Sequence, residues 1–309
     1  MITLSVILCT RNPDAGRLNR TLAGLAGQAL APDCWELLII DNGSRPALSA
    51  ENIPLSAQTQ RIIQEEVPGL TPARLRGIAE ASGEILVFVD DDNVLAPAFL
   101  SHALAAFHAH PRLAVAGGPV RPEFEITPPD WVAEFYPLLA LHDHGHTALV
   151  ATGDPAAHWP DFAPAGAGLC LRRDYATLYA AAVRSDPTRA ALDRRAGALT
   201  SGGDNDMVFT ALHAGGDVAY FPELELTHLI PAKRLDPAYL ARLNRGIQRS
   251  WMQVLSLHRA NPWSPLTPLG ARLRIFKAWF RHFPLFRSSP AHRIRWHGSV
   301  GHFEGRVRP

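Results

Sequence analysis

The sequence has few cysteines, and they follow no disulfide or metal-binding pattern. Its 309 residues include three cysteines, Cys9, Cys34 and Cys170, at unrelated spacings. This excludes the disulfide scaffold of a small secreted domain and argues against a zinc site built from Cys-x-x-Cys pairs. A reducing compartment such as the cytoplasm therefore suits the chain best.

Long apolar runs are missing as well. No stretch approaches the ~20 apolar residues that a membrane-spanning helix requires. Residues 1–9 are apolar, but they lack the positively charged N-terminal region and the cleavage site of a signal peptide. We therefore interpret them as a first β-strand. With 47% hydrophobic residues, the chain can bury the core of one large domain, with or without an appendage.

The two common phosphate-binding loops are also absent. No G-x-G-x-x-G sequence follows the first predicted strand, and the chain has no G-x-x-x-x-G-K-[ST] sequence. A nucleotide bound by this protein would therefore need another type of site. The alternative is a divalent cation that is held by carboxylates and contacts the phosphates.

Acidic residues are rare in the C-terminal quarter of the chain. Residues 233–309 contain 15 basic residues and two acids, Asp236 and Glu304, whereas residues 1–232 contain 15 basic and 27 acidic residues. The net charge of +1 thus hides an acidic body and a basic tail. We predict one domain over 1–232 and a helical extension over 233–309. We expect the basic tail to contact an anionic partner, which is the body itself, a phosphate-bearing ligand or a membrane.

Strand-like and helix-like patterns alternate along the first 120 residues. Strand patterns occur at residues 4–9, 37–40, 61–63, 85–89 and 113–117. The alternation predicts an α/β fold with a Rossmann-like, mostly parallel sheet and helices on both faces. In such sheets ligands bind beyond the carboxyl ends of the strands. Polar clusters lie at three of these ends: Thr10–Asn12, Asp41–Ser44 and Asp90–Asn93.

Regular patterns stop between residues 120 and 165. This segment contains the sequence His142-Asp143-His144-Gly145-His146. The histidines suggest a metal site, but no carboxylate or cysteine pattern accompanies them, so we prefer a solvated loop. Further on, the patterns predict a helix after Asp206 and a pair of strands near residues 218–221 and 224–228.

Three consecutive aspartates, Asp90, Asp91 and Asp92, are the most informative residues. They directly follow an apolar strand pattern, and adjacent carboxylates repel each other unless a cation compensates their charge. Residues two apart on an extended strand point the same way, so Asp90 and Asp92 could share one Mg²⁺ or Mn²⁺ while Asp91 turns aside. The simpler alternative is that residues 91–93 cap a helix predicted at 97–109.

Short motifs occur in a characteristic order along the chain. They are Cys9–Asn12, Asp41–Ser44, Ala73–Gly77, Asp90–Asp92, Gly202–Asp206 and Leu226–Pro231. Together they resemble family 2 glycosyltransferases, which have the GT-A fold and use nucleotide-diphosphate sugars. The resemblance covers about residues 1–235. Two positions depart from the family: Leu75 replaces a usual asparagine, and Gly203 replaces a usual glutamate.

The resemblance implies roles for several residues. Asp92, together with Asp90 and His228, would hold Mg²⁺ or Mn²⁺ against the departing diphosphate. Asp204 would be the general base that takes the acceptor proton, with Asp206 as its rival. Substrate contacts are expected from Thr10, Arg11, Asn12, Asp41, Arg74, Arg76, Asp90, Asp91, Asp206 and Arg234.

Each of these roles has a structural alternative. Asp41 precedes Asn-Gly, so turn formation alone explains it. Asp204 and Asp206 can both cap the helix expected from about Asn205. His228 can be a satisfied residue at the end of a strand, and helical arginines are usually solvated.

The tail has two helical patterns. The first covers residues 236–257; after a proline-rich break, residues 269–286 interleave aromatic and basic side chains. This mixture suits the headgroup layer of an anionic membrane, so we hypothesise that 265–309 docks on the inner face of the cytoplasmic membrane, near a lipid-linked acceptor. The alternatives are helices that pack on the body and nucleic-acid binding, and the acidic body argues against the latter.

We therefore expect an inverting, metal-assisted glycosyltransferase of the hexosyl-transferring type. It would move a sugar from a UDP- or GDP-sugar to a hydroxyl of a glycan or lipid-linked acceptor, with no nucleic-acid partner. Two other classes stay open. One is a nucleotidyltransferase that acts on sugar phosphates, and the other is a non-catalytic protein that binds sugar nucleotides or glycans.

Overall fold

The computed structural model describes residues 2–307 apart from 50, 52, 54–56, 58, 195–198 and 287. The strands are β1 (Leu4–Thr10), β2 (Trp35–Asp41), β3 (Thr59–Gln64), β4 (Ile85–Asp90), β5 (Asn93–Leu95), β6 (Leu113–Gly117), β7 (Val120–Phe124), β8 (Leu149–Ala151), β9 (Cys170–Arg172), β10 (Asp217–Tyr220) and β11 (Leu226–Ile230). The helices are α1 (Ala15–Ala26), α2 (Leu70–Glu80), α3 (Phe99–Ala109), α4 (Arg173–Ser185), α5 (Pro187–Ala190), α6 (Gly203–His213), α7 (Pro237–Leu257), α8 (Pro268–His282) and α9 (Pro290–Gly305).

An eight-stranded sheet with the order β3-β2-β1-β4-β9-β6-β10-β8 forms the core. β3, β2, β1 and β4 run parallel, as do β6 and β10, whereas β9 and the edge strand β8 are antiparallel to their neighbours. All residues of β2 are buried, as is typical of a parallel strand that is covered on both faces. The predicted α/β class with a mostly parallel sheet is confirmed.

A second, three-stranded sheet has the order β5-β11-β7. The two strands predicted near 218–221 and 224–228 are both present, and they lie in different sheets: β10 in the large sheet and β11 in the small one. The small sheet corrects the helix-cap alternative for residues 91–93. Asn93 begins β5, whereas α3 begins at Phe99 without a side-chain cap.

In the described part of the chain, α7, α8 and α9 are the α-helices that follow β11, and α9 is not predicted by the sequence patterns. α7 and α9 approach closely through glycines: a Cβ on Gly301 would lie 2.1 Å from the carbonyl oxygen of Arg245. Asn244 Nδ2 donates a hydrogen bond of 3.0 Å to the carbonyl of Ile294. An ion pair between Arg245 and Glu304 also joins the two helices.

Backbone contacts divide the chain into two compact units. The first consists of Met1–Glu123, Ala140–Ala190 and Asp206–Leu229. The second consists of Phe124–Leu139, Ala191–Asn205 and Ile230–Pro309. The second unit thus contains the basic tail together with two earlier segments, and a domain boundary at residue 232 stays a prediction.

Candidate active site

The parallel strands bring several predicted site residues to one edge of the large sheet. Thr10 pairs with Asp41 in the β1–β2 register, and Cys9 pairs with Asp90 in the β1–β4 register. The hydroxyl of Thr10 donates a hydrogen bond to Asp91 Oδ2. The polar ends of β1, β2 and β4 therefore lie side by side, as the sequence predicts.

Asp92 and His228 form a buried pair beside these strand ends. Asn93 pairs with His228 in the β5–β11 register, and the Leu229 amide donates a 2.8 Å hydrogen bond to the Asp92 carbonyl. Asp92 Oδ1 lies 3.6 Å from His228 Nε2, and both residues are less than 5% exposed. The two residues come together because β11 pairs with the strand that follows the aspartates.

The geometry of the aspartates differs from the extended strand that the sequence suggests. β4 ends at Asp90, and Asp91 and Asp92 form a turn. The alternation that would point Asp90 and Asp92 the same way therefore does not continue to Asp92. Among the described residues, no three His, Cys, Asp or Glu side chains are grouped so that they could hold a metal ion. The predicted metal set stays a prediction, and Asp92 and His228 are its closely placed members.

Asp41 is fully buried at the end of β2. Its carboxylate oxygens accept hydrogen bonds from the amides of Ser44 and Leu48, each at 2.9 Å. Burial would raise the pKa of Asp41, but hydrogen bonds from Ser44, Leu48 and Gln64 outweigh burial and lower it. Both bonds come from the segment that directly follows β2. A carboxylate oxygen can accept a second hydrogen bond, so these bonds do not prevent Asp41 from also accepting one from a nucleobase. That contact stays a prediction.

Arg11 and Asn12 lie in the exposed loop after β1. Asn12 has a φ of 49°, a left-handed conformation that asparagine tolerates better than most residues. Its amide donates to Ser44 Oγ, and its side-chain oxygen accepts from the Arg45 amide, both at 2.8 Å. These bonds join the loops that follow β1 and β2. Arg11 remains exposed to solvent.

The predicted arginines have different environments. In α2, Arg74 is buried with its guanidinium 5.9 Å from the centre of the Phe88 ring, whereas Arg76 lies on the surface and pairs with Glu80 at 3.0 Å. Arg234 is half-buried in a 3-10 helix after β11. Leu75, which replaces the family's asparagine, is partly buried against the core. Whether any of these arginines contacts a phosphate stays a prediction.

Asp204 and Asp206 lie in the first turn of α6 and differ in accessibility. Asp206 is fully buried, and its Oδ1 accepts a 2.8 Å hydrogen bond from the Arg189 guanidinium. Asp204 is half-buried, and its Oδ1 accepts from the Asn205 amide at 3.0 Å. A general base must lie within hydrogen-bond reach of the hydroxyl that it deprotonates, so access to the carboxylate matters. Which of the two carboxylates is the base stays a prediction.

The sequence patterns miss Asp193, which lies directly against Gly203. This buried carboxylate accepts a 3.2 Å hydrogen bond from the Gly203 amide. A Cβ on residue 203 would lie 2.2 Å from Asp193 Oδ2, so Asp193 occupies the space that a side chain at 203 would need. The one signal in the sequence is Gly203 itself, where the family usually has a glutamate.

Comparison with known proteins identifies the class. Residues 5–155 match the family model described as Glycosyl transferase family 2. This match covers just under half of the chain, and together with the relatives below it supports a family 2 glycosyltransferase; the fold is of the GT-A type. The resemblance that the sequence motifs indicate is therefore confirmed.

Particular relatives cover different parts of the chain. The succinoglycan biosynthesis protein ExoM of Rhizobium meliloti (strain 1021) is 25% identical over 246 residues, which are 77% of this chain and 71% of that protein. Validoxylamine A glucosyltransferase of Streptomyces hygroscopicus subsp. limoneus is 33% identical over 111 residues, 35% of this chain and 24% of that protein. The crystal structure of GalNAc-T7 with UDP, GalNAc and Mn²⁺ is similar in fold, with a TM-score of 0.54 and 16% identity over 83% of this chain and 48% of that one.

Proposed function

We propose that this glycosyltransferase moves a hexose from a UDP- or GDP-sugar to a hydroxyl group with inversion at the anomeric carbon. The buried Asp92–His228 pair, beside the carboxyl ends of β1, β2 and β4, is the observation that carries the proposal. The names of the relatives support it, since one is a glucosyltransferase and the GT-A neighbour holds UDP and Mn²⁺.

Asp92 and His228 have the right chemistry for a divalent cation. Asp92 would supply a carboxylate oxygen and His228 an imidazole nitrogen, and these two atoms lie 3.6 Å apart. Asp90, at the end of β4, is the third ligand that the family resemblance implies, and in the described residues it is not grouped with the other two so as to hold a metal ion. Mg²⁺ or Mn²⁺ bound there would neutralise charge on the diphosphate.

Asp204 is the proposed general base. It takes the proton of the acceptor hydroxyl as that oxygen bonds to the anomeric carbon and the bond from sugar to phosphate breaks. Attack from the face opposite the diphosphate inverts the configuration. A positioned base of this kind contributes roughly 10²–10⁴-fold to the rate.

The nucleotide would contact the loops that follow β1 and β2. Asp41 is held ionised by its turn, Thr10 orients Asp91, and the bonds of Asn12 fix one loop against the other. Arg74, buried against Phe88, is the proposed cation for a phosphate. Arg76 lies on the surface of α2, where it pairs with Glu80.

We propose that the acceptor is a growing glycan, either free or carried on a lipid. One relative is named for the biosynthesis of succinoglycan, which supports a polysaccharide product. The enzyme would then work in the cytoplasm, or peripherally on the inner face of the cytoplasmic membrane.

A product assay tests the reaction. The protein is incubated with UDP- and GDP-sugars, Mn²⁺ and glycan acceptors, and the released phosphate species is identified. We expect the wild-type protein to release nucleotide diphosphate. Asp92→Asn and Asp204→Asn should each lower kcat by at least about 100-fold. Asp33→Asn, at an exposed aspartate, is the matched control and should retain full activity.

Two outcomes would replace the proposal with one of its rivals. Release of pyrophosphate from a nucleoside triphosphate and a sugar phosphate would assign the protein to the nucleotidyltransferases. Tight binding of a nucleotide sugar without turnover, unchanged by Asp204→Asn, would make it a binding protein.

A further inference from the structure

Helix α8 exposes an apolar stripe to solvent. The stripe consists of residues that are 51% to 66% exposed: Leu269, Leu273, Phe276, Phe280 and Phe283. The first four lie in α8, and Phe283 begins the 3-10 turn that follows it. Ala271 is the one buried residue of this helix, so α8 contributes little to the interior of its unit.

The spacing of these residues places them on one side of the helix. Successive members are four or three residues apart, which keeps them within a narrow sector at 3.6 residues per turn. At a rise of 1.5 Å per residue, the stripe is about 21 Å long. We name it the α8 stripe.

Aromatic contacts make the stripe continuous. The rings of Phe276 and Phe280 meet edge to face with their centres 4.8 Å apart. Trp279 contacts Phe280 at 5.2 Å and stacks on Phe283 at 4.1 Å. Exposed apolar groups that form one surface mark an interaction site more reliably than scattered ones.

Basic residues border the stripe on both sides. On a helical projection Arg272 lies at one edge, and Lys277 and Arg281 lie at the other; all three are exposed. The sequence has no acidic residue between Asp236 and Glu304. An apolar centre with cationic margins fits a partner with an apolar interior and an anionic surface.

This charge pattern decides between possible occupants. A second copy would bring two sets of arginine and lysine side chains together, and like charges across an interface are unfavourable. Nucleic acid would satisfy the cations but would leave Leu269 and Leu273 in water. A membrane with anionic lipids satisfies both parts of the surface. No helix among the residues described is long and apolar enough to cross a bilayer.

We propose that the α8 stripe lies in the headgroup layer of an anionic membrane, with α8 parallel to the membrane plane. The phenylalanines and leucines enter the boundary with the acyl chains, while Arg272, Lys277 and Arg281 contact lipid phosphates. This inference identifies the surface for the peripheral location proposed above. It does not depend on the chemistry of sugar transfer.

Sedimentation with vesicles tests the inference on the full chain. Vesicles of phosphatidylcholine alone are compared with vesicles that also contain phosphatidylglycerol. We expect binding to the anionic vesicles, and Phe276→Ser and Phe280→Ser should each lower the partition coefficient about tenfold or more. Lys277→Gln and Arg281→Gln should each lower it about fivefold, with less effect at high salt.

Matched controls separate docking from misfolding. Val150→Ser and Leu178→Ser remove apolar groups with similar exposure elsewhere on the surface and should leave binding unchanged. Sugar transfer to a soluble acceptor should be unchanged in all the stripe variants, which also reports that they fold. Equal vesicle binding by wild type and the Phe276→Ser/Phe280→Ser double variant would overturn the proposal. A stripe-dependent dimer, or stripe-dependent binding of nucleic acid without vesicle binding, would overturn it as well.

Discussion

Replacing Gly203 with alanine should disturb the start of α6 more than any ordinary Gly-to-Ala change. A Cβ at residue 203 would lie 2.2 Å from Oδ2 and 2.6 Å from Cγ of Asp193, whereas real Cβ atoms almost never approach a heavy atom closer than 3.0 Å. The Asp193 carboxylate would have to move, which would break its hydrogen bond with the Gly203 amide. Loss of a buried bond to a charged acceptor costs about 1.5–3 kcal/mol, so we expect the free energy of unfolding to fall by about 2 kcal/mol.

The same substitution should reduce activity. Gly203 immediately precedes Asp204, so a shift at the start of α6 displaces the proposed base. A displacement of about 1 Å in a catalytic group can lower a rate roughly 10²-fold. We therefore expect kcat for sugar transfer to fall by about that factor, with a smaller change in KM for the nucleotide sugar.

A double-mutant cycle measures the proposed contact. Unfolding by denaturant and nucleotide-diphosphate release are measured for Gly203→Ala, Asp193→Ala and the double variant. Removing the carboxylate makes room for the methyl group, so the double variant should be more stable than the sum of the single effects by at least about 1 kcal/mol. Gly16→Ala in α1 is the control, because its Cβ would have an ordinary contact of 3.4 Å. Additive effects, or a fully active Gly203→Ala protein, would refute the reasoning.

Two further predictions concern buried carboxylates. Arg189→Gln should destabilise the fold by about 3 kcal/mol because it removes the guanidinium that pairs with the fully buried Asp206. Arg76→Gln should cost under about 0.5 kcal/mol, since its pair with Glu80 is on the surface. Equal losses of stability for the two variants in denaturant unfolding would contradict this. Asp41→Asn should lower the free energy of unfolding at neutral pH. Because folding lowers the pKa of Asp41, its stabilisation is present above the ordinary aspartate value and is lost as the pH falls through the folded pKa. The difference from wild type should therefore shrink below about pH 4, and a constant difference would exclude this cause.

The sequence predicts the parallel half of the large sheet well. β1, β2 and β4 are short apolar runs that end in polar residues, and a strand covered by helices on both faces has this pattern. Parallel pairing in register then places Thr10, Asp41 and Asp90 at one edge without further information. This part of the candidate site follows from local patterns because the topology aligns the strand ends.

Contacts between distant segments could not be predicted in the same way. Pairing of β5 with β11 brings His228 to Asp92, but β5 has only three residues and is too short for a readable alternation. α9 escapes prediction for another reason. Its contact with α7 uses glycines such as Gly298 and Gly301 instead of large apolar residues, so the helix has no strong apolar stripe.

The choice between Asp204 and Asp206 illustrates what the structure adds to a motif. Both carboxylates fall within Gly202–Asp206, and spacing alone leaves them as rivals. Arg189, which precedes the motif and belongs to no pattern, supplies the difference, because its guanidinium binds Asp206 and compensates that buried charge. Asp206 is also fully buried, so an acceptor hydroxyl could not reach it without a change in the fold. Asp204 is partly accessible and is therefore the base that we propose, and Asp193 accepts a hydrogen bond from the amide of Gly203, the residue before it.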